Sequence, residues 1–192
     1  DGILYVLSRD PETDLVTLFS EIRRHPVFKV HGPEHHMLIP AVMVTTARNL
    51  GAPLTEADLD VALDRGSQVP GGFCGFAGAC GATVGVGIGM AVILGSSPLV
   101  PTKRQTVIRV VAEVTAAIGR FEAARCCQRD GIVALRRAAE LSGEWKEIPV
   151  TLRAEAGVLC EQVKANRECI SHDCPLFPSR DRRRARAERS SK

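Results

Sequence analysis

The spacing of apolar residues predicts a helix in the first third of the chain. Between 10 and 24, the apolar residues recur three and four positions apart, as expected for one buried helical face, at Leu15, Leu18, Phe19 and Ile22. Asp10 followed by Pro11 is typical of a helix start, and Pro26 follows the last predicted turn. We therefore expect Asp10 to cap a helix that ends near Arg24.

The next segments continue the helical pattern. A helix is predicted to begin at Pro33, to contain Pro40 as a kink, and to end at Gly51 in a left-handed cap. Thr55 and Asp58 have the spacing of a capping box that starts another helix. The histidine-rich stretch at 31–36 therefore lies at a helix N-terminus.

The second half of the chain carries three further amphipathic patterns. They predict helices at 102–121, at 131–141 with Asp130 as its N-cap, and at 151–166. The sequence has no clear alternation of apolar and polar residues, which would indicate strands, and no Asn-Gly pair, which would indicate a hairpin. The pattern as a whole predicts an all-α fold, a compact bundle of about seven helices with little or no sheet.

A glycine-rich apolar stretch at 70–95 is predicted to be the buried central helix of this bundle. Gly81, Gly85 and Gly89 are four apart, and no charged residue occurs between 66 and 102. The continuous apolar run at 82–94 is shorter than the ~20 residues that a membrane span needs, so no membrane insertion is expected. Its glycines lie inside a helical pattern, which argues against a nucleotide-binding loop.

Composition and charge divide the chain into a body and a tail. The length predicts a single domain at 1–178, and the basic stretch at 179–192 is expected to be disordered. The whole chain carries a formal charge of +3, so the body outside this arginine-rich tail is mildly acidic. Because no aromatic residues interleave with the arginines, no specific nucleic-acid binding is expected.

The seven cysteines are the main candidates for chemistry. No signal-peptide pattern is present, so we expect a cytoplasmic protein whose thiols act as ligands or redox groups. Cys80 is predicted to lie where the glycine-rich helix begins, where the helix dipole lowers a thiol pKa. Cys74 precedes it among glycines that allow tight folding around a metal or cluster.

Further cysteines occur in two later pairs. Cys126 and Cys127 cannot easily form a disulfide with each other, and neighbouring arginines favour a thiolate, so one of them is expected to face a site while the other packs. Cys169 and Cys174, just before a proline, form a weaker candidate ligand pair. Cys160 is expected to be a core residue.

A histidine cluster forms the second candidate constellation. His31 and His35 are four residues apart, His36 follows, and Glu34 could orient one imidazole ring. This pattern favours metal binding or acid–base work over chance core packing. Cys80, Cys126 and Glu34 are the candidate catalytic residues.

Four motifs in fixed order make the chain resemble a cysteine-rich domain of unknown function from anaerobic microbes. They are HGPEHH at His31, PGGFCGFAGACGA at Pro70, RCCQRD at Arg125, and NRECISHDCP at Asn166. The chain is also similar to the C-GCAxxG-C-C family, which is associated with redox activity. The resemblance implies a redox or metal-cluster role for His31, Glu34, His35, His36, Cys74, Cys80, Cys126, Cys127, Cys169 and Cys174.

The leading hypothesis is an iron–sulfur protein for electron or sulfur transfer, with its cysteines gathered at one end of the glycine-rich helix. One alternative is a zinc or iron enzyme that uses the histidines with a cysteine nucleophile. Another is a zinc-stabilised interaction module that acts beside a methyltransferase-type protein. A redox partner and a homo-oligomer are compatible with the sequence. The leading hypothesis requires the four motifs to lie within reach of one site.

Overall fold

The described part of the chain is all-helical, which confirms the predicted class. The structure, a computed structural model, describes residues 2–179, 181–183 and 188. Among these residues there is no β-strand, only an isolated bridge between Asp14 and Arg153. They form the helices α1 (Gly2–Arg9), α2 (Leu15–Arg23), α3 (Glu34–Asn49), α4 (Glu56–Ser67), α5 (Phe73–Phe76), α6 (Gly81–Leu94), α7 (Pro101–Ile118) and α8 (Cys127–Glu144), with the 3₁₀ helix Ser171–Asp173.

Helices α3 and α6 share the centre of the bundle. Helix α3 packs against α1, α2, α4, α6 and α8, and α6 packs against α3, α4, α7 and α8. The glycines of α6 face α3: a Cβ atom at Gly85 would stand 2.8 Å from Ile39 Cβ, and one at Gly89 would stand 2.9 Å from Met43 Cβ. Only glycine permits backbones to approach this closely. The glycine-rich helix is thus buried, as predicted.

The caps of α3 and α4 follow the sequence signals. Gly51 has a φ of 97° beyond the end of α3, and the backbone N–H groups of Gly51 and Ala52 donate to the carbonyls of Arg48 and Ala47. This is the paired cap that a glycine after a helix favours. At the start of α4, Asp58 accepts a 2.8 Å hydrogen bond from the backbone N–H of Thr55. Both helix boundaries were correctly predicted.

Helix α2 begins four residues later than predicted, because Asp14 and not Asp10 caps it. One carboxylate oxygen of Asp14 accepts hydrogen bonds of 3.0 and 2.8 Å from the backbone N–H groups of Val16 and Thr17. Asp10 accepts instead from the backbone N–H of Glu12, in the turn before the helix. Asp14 is the acid that lies directly before the regular turns, where a cap is most effective.

The predicted last helix at 151–166 is wrong, since this segment runs along the bundle without forming a helix and has only an isolated turn at 162–166. Its backbone pairs with distant groups: Leu15 donates to the Arg153 carbonyl at 2.8 Å, and Cys160 donates to the Leu176 carbonyl at 2.7 Å. The second Asp14 carboxylate oxygen accepts from the backbone N–H of Glu155 at 2.6 Å. These tertiary hydrogen bonds replace the local ones that a helix would form.

Two further expectations concern the basic tail and membrane insertion. The predicted disordered tail at 179–192 lies mostly outside the described residues. The described helices include none that combines the length and apolar character needed to cross a membrane.

Candidate functional site

Three of the four motifs meet at one cavity. It has a volume of about 400 Å³ and lies where helices α3, α6 and α8 begin. The candidate residues that line it are His31, His35, His36, Cys74, Cys80 and Cys127. Segments far apart in the sequence thus bring their cysteines and histidines to one end of the bundle.

Glycine lets the walls of this cavity approach each other. A Cβ atom at Gly81 would overlap the imidazole ring of His36. Gly66, on α4, also lies close to α3, since a Cβ atom at this position would stand 2.5 Å from Met37 Cα. These two glycines let α4 and α6 pack closely against the start of α3, which holds the histidine stretch against the first turn of α6.

Cys80 is the N-cap residue of α6, but its side chain forms no capping hydrogen bond. The backbone N–H groups of Ala82 and Thr83 nevertheless favour its thiolate form. The expected lowering of its pKa is nevertheless not found. Burial, followed by the nearby Asp130 carboxylate, raises the pKa of Cys80 to about 12, and the backbone N–H groups only oppose this shift. Its thiol donates to Asp130 Oδ2 across 3.9 Å. Cys80 is therefore a neutral thiol in this environment.

The adjacent cysteines at the start of α8 have separate surroundings. Cys127 lines the cavity, and the backbone N–H of Gly32 favours its thiolate, although burial raises its pKa overall. Cys126 is buried outside the cavity lining, within electrostatic reach of Cys174. Burial also raises the pKa of Cys126, against the opposing effect of Arg129. Only Cys127 of this pair can reach a ligand in the cavity.

Asp130 is the site residue whose role the sequence did not reveal. The prediction that it caps α8 is wrong, because α8 begins at Cys127 and places Asp130 inside its first turns. Its carboxylate forms a buried ion pair with Arg129 at 2.9 Å and accepts from the Cys126 backbone N–H at 3.5 Å. Burial raises its pKa, with Arg129 acting in the opposite direction. The Arg-Asp pair that follows the two cysteines after one glutamine was the signal that could have identified it.

The three histidines differ in what their ring nitrogens do. His35 accepts from Arg23 Nε at 3.0 Å and donates from Nδ1 to the Gly32 carbonyl at 3.1 Å, so both of its nitrogens are occupied. Burial, then Arg23, lowers its pKa to about 4. His36 donates from Nδ1 to the Val69 carbonyl at 2.9 Å, which leaves the lone pair of Nε2 uncommitted. A neutral His36 can therefore act as a ligand.

His31 connects the cavity to the fourth motif. Asn166 Oδ1 accepts from the Glu168 backbone N–H, which fixes this oxygen as an acceptor, so His31 Nε2 donates to it at 3.1 Å. The remaining nitrogen, Nδ1, is buried and has no hydrogen-bond partner among the residues that the structure describes. A buried lone pair of this kind is rare and calls for a donor or a cation.

The other candidates lie outside the cavity lining. Glu34 accepts from the Lys29 backbone N–H at 2.9 Å and stands 3.8 Å from His35 Nδ1. Cys174 is buried, and Cys169 accepts from the Ser171 backbone N–H at 3.4 Å. The NRECISHDCP motif thus touches the site through Asn166 and not through its cysteines.

All seven cysteines are unpaired thiols. Within the described ranges, no group of three or more His, Cys, Asp or Glu side chains already has an arrangement that would hold a metal ion. The cavity therefore gathers donors without presenting a complete coordination shell.

Comparison with known proteins gives a family. No curated protein and no solved structure shows a significant match to the chain. The sequence model of the family of unknown function DUF5714 matches residues 3–177, which is nearly the whole chain. The protein therefore belongs to the DUF5714 family.

Proposed function

We propose that this protein binds a metal centre, in the first place an iron–sulfur cluster, in the cavity lined by Cys74, Cys80 and Cys127, and uses it in electron or sulfur transfer. The observation that carries the proposal is the meeting of these three thiols, from two separate motifs, beside two imidazoles with uncommitted lone pairs. Soft thiolate ligands are those that clusters prefer. When bound, a cluster supplies one-electron redox chemistry.

The chemistry of the donor set fits a cation. Cys80 and Cys127 are held as neutral thiols because burial raises the pKa of each. His31 Nδ1 is a buried acceptor without a donor. A bound metal cation would lower the pKa values of nearby thiols and carboxyls, since it favours their charged forms. It would also provide a partner for the lone pair of His31 Nδ1.

Different candidate residues receive different roles in this proposal. The three cavity thiols act as ligands, and His36, whose Nε2 is uncommitted, acts as the nitrogen ligand. His35 positions the start of α3, since both of its nitrogens are hydrogen-bonded.

Binding also requires a movement. No three donors of the described residues are arranged for coordination. Cys74 is exposed on a short segment bounded by Gly72 and Gly78, which have φ values of 82° and 66°. We expect this segment to bring Cys74 inward on metal binding.

Zinc is the second candidate. Three thiolates and one imidazole form a ligand set that zinc commonly takes in structural sites. The same observation, three cavity thiols beside the uncommitted nitrogen of His36, favours this alternative. It would assign the protein to the interaction modules expected beside a methyltransferase-type partner. Either proposal places the protein in a reducing cytoplasm, where its cysteines stay reduced and do not form disulfides.

Purification without oxygen, followed by iron, sulfide and zinc analysis and visible absorption, tests the proposal. We expect iron and acid-labile sulfide in nearly equal amounts with a brown chromophore, and we expect Cys80→Ala to remove both. Cys169→Ala is the matched control and should retain them, because Cys169 lies outside the cavity. A colourless protein with one zinc per chain would replace the cluster with the zinc alternative. Absence of all three elements would overturn the metal proposal.

A further inference from the structure

A second cavity lies against the first, on the other side of a shared wall. It has a volume of about 360 Å³ and is formed between the start of α6, the end of α7 and the segment before α8. Cys74, Cys80, Arg125 and Asp130 line both cavities. A molecule in the second cavity would therefore lie next to two of the three proposed ligand thiols.

The charges around this second cavity leave one cation unbalanced. Its ionic side chains are Arg125, Arg129 and Asp130. Arg129 and Asp130 neutralise each other in the buried pair at 2.9 Å. Arg125 is exposed at the mouth, and none of the hydrogen bonds or ion pairs among the described residues involves its side chain. The cavity thus carries a net charge of about +1 from a free guanidinium.

The remaining lining is mostly apolar with one available hydroxyl. Ile118 and Phe121 supply an apolar wall. Thr83, which also lines the cavity, is 2% exposed, and its hydroxyl oxygen has no hydrogen-bond partner within the described part of the chain. A cavity with an apolar wall, one cation and one unsatisfied hydroxyl suits a small molecule with a negatively charged end.

We propose that this second cavity is an anion-binding pocket in which Arg125 selects a small carboxylate or oxoanion as the substrate of the neighbouring site. That the anion is a substrate rests on the proposed metal function, whereas the anion preference rests only on the charges of this cavity. A guanidinium attracts both anion types through its positive charge and can bind them through paired N–H donors.

Paired alkylating reagents test the anion preference without knowledge of the natural substrate. Iodoacetate and iodoacetamide are similar in size, but only iodoacetate is an anion. Each reacts with the Cys74 thiolate: the sulfur–carbon bond forms, the carbon–iodine bond breaks, iodide leaves, and the thiol proton passes to the buffer. The quantity measured is the ratio of the two alkylation rates at Cys74, followed by mass spectrometry on the full chain. Any protection of Cys74 by metal affects both rates and cancels in the ratio.

In the wild type, Arg125 should favour iodoacetate. We expect Arg125→Gln to lower the iodoacetate-to-iodoacetamide ratio roughly fivefold, the effect of one unit charge close to the reagent in water. Arg125→Lys should retain most of the ratio because it keeps the charge. Arg104→Gln is the control for surface charge, since Arg104 is exposed and lies about 21 Å along α7 from Ile118.

The outcomes separate this proposal from the metal proposal. An unchanged ratio in Arg125→Gln, or an equal fall in Arg104→Gln, would overturn the anion pocket whatever the metal content of the protein. A fall confined to Arg125→Gln in a protein without metal would leave the pocket standing and remove only its link to the proposed metal centre.

Discussion

At the scale of single residues, neighbours in the sequence have opposite surroundings. Cys126 is buried among core groups while Cys127 lines the cavity. His35 has both ring nitrogens occupied while His36 keeps one uncommitted. Adjacent positions on a helix point about 100° apart, so a motif cannot contribute all of its residues to one site. The proposed ligand set is therefore smaller than the candidate set.

The contact between Gly81 and His36 gives a prediction at this scale. In Gly81→Ala the new methyl group would overlap the His36 ring, so the ring or the first turn of α6 must shift. We expect a loss of about 1–3 kcal/mol in the free energy of unfolding, as in other overpacked cores, together with weaker metal binding. Denaturant unfolding and metal titration measure these two effects.

Gly75→Ala is the matched control for this prediction. Gly75 also lies in the cysteine-bearing stretch, but a Cβ atom there would meet nothing within 4 Å. Equal stability losses in the two variants would show that the Gly81–His36 approach is not the cause.

At the scale of elements, Asp14 performs two tasks. One carboxylate oxygen caps α2, and the other accepts from the backbone of the segment that follows α8. Asp14→Ala should therefore remove a helix cap and release this segment, at a cost of about 2 kcal/mol, the upper end for single caps.

Asp10→Ala is the comparison for Asp14→Ala. Asp10 is the cap that the sequence favours, but in the structure its carboxylate accepts only from the Glu12 backbone N–H. We expect this variant to change the free energy of unfolding by less than about 0.5 kcal/mol. Chemical denaturation that ranks Asp10→Ala as the more harmful change would contradict the observed start of α2.

The same elements explain how far the sequence could predict this fold. Helices α3 and α4 were predictable because Gly51 and the Thr55–Asp58 box act on their own neighbours. The segment at 151–166 was not, since its backbone bonds to Asp14 and Leu176, which are distant in the sequence. A helical pattern of apolar residues does not reveal that a backbone has such tertiary partners.

The candidate site divides in the same way. That the HGPEHH, CGA and RCC motifs meet could be inferred, because each was expected at a helix start. The raised pKa of Cys80 could not, because it depends on burial and on Asp130, fifty residues further along the chain. The occupied nitrogens of His35 depend likewise on Arg23, from another helix.

At the scale of the whole molecule, the bundle serves to bring helix starts together. The first residues of α3, α6 and α8 surround one cavity, and the glycine contacts of α6 with α3 fix their distance. The loop before α8 adds Arg125 between this cavity and the second one. The architecture thus places thiols, imidazoles and the Arg125 guanidinium at one end of the helical bundle.

The central claim is that the cavity, and not the number of cysteines, determines metal binding. Metal content per chain in Cys127→Ala compared with Cys126→Ala, both purified without oxygen, tests this claim most directly. The two positions are adjacent, but only Cys127 lines the cavity. We predict that Cys127→Ala loses the bound metal while Cys126→Ala, if folded by circular dichroism, keeps it. Retention of metal in Cys127→Ala, or its loss from a folded Cys126→Ala alone, would contradict the account.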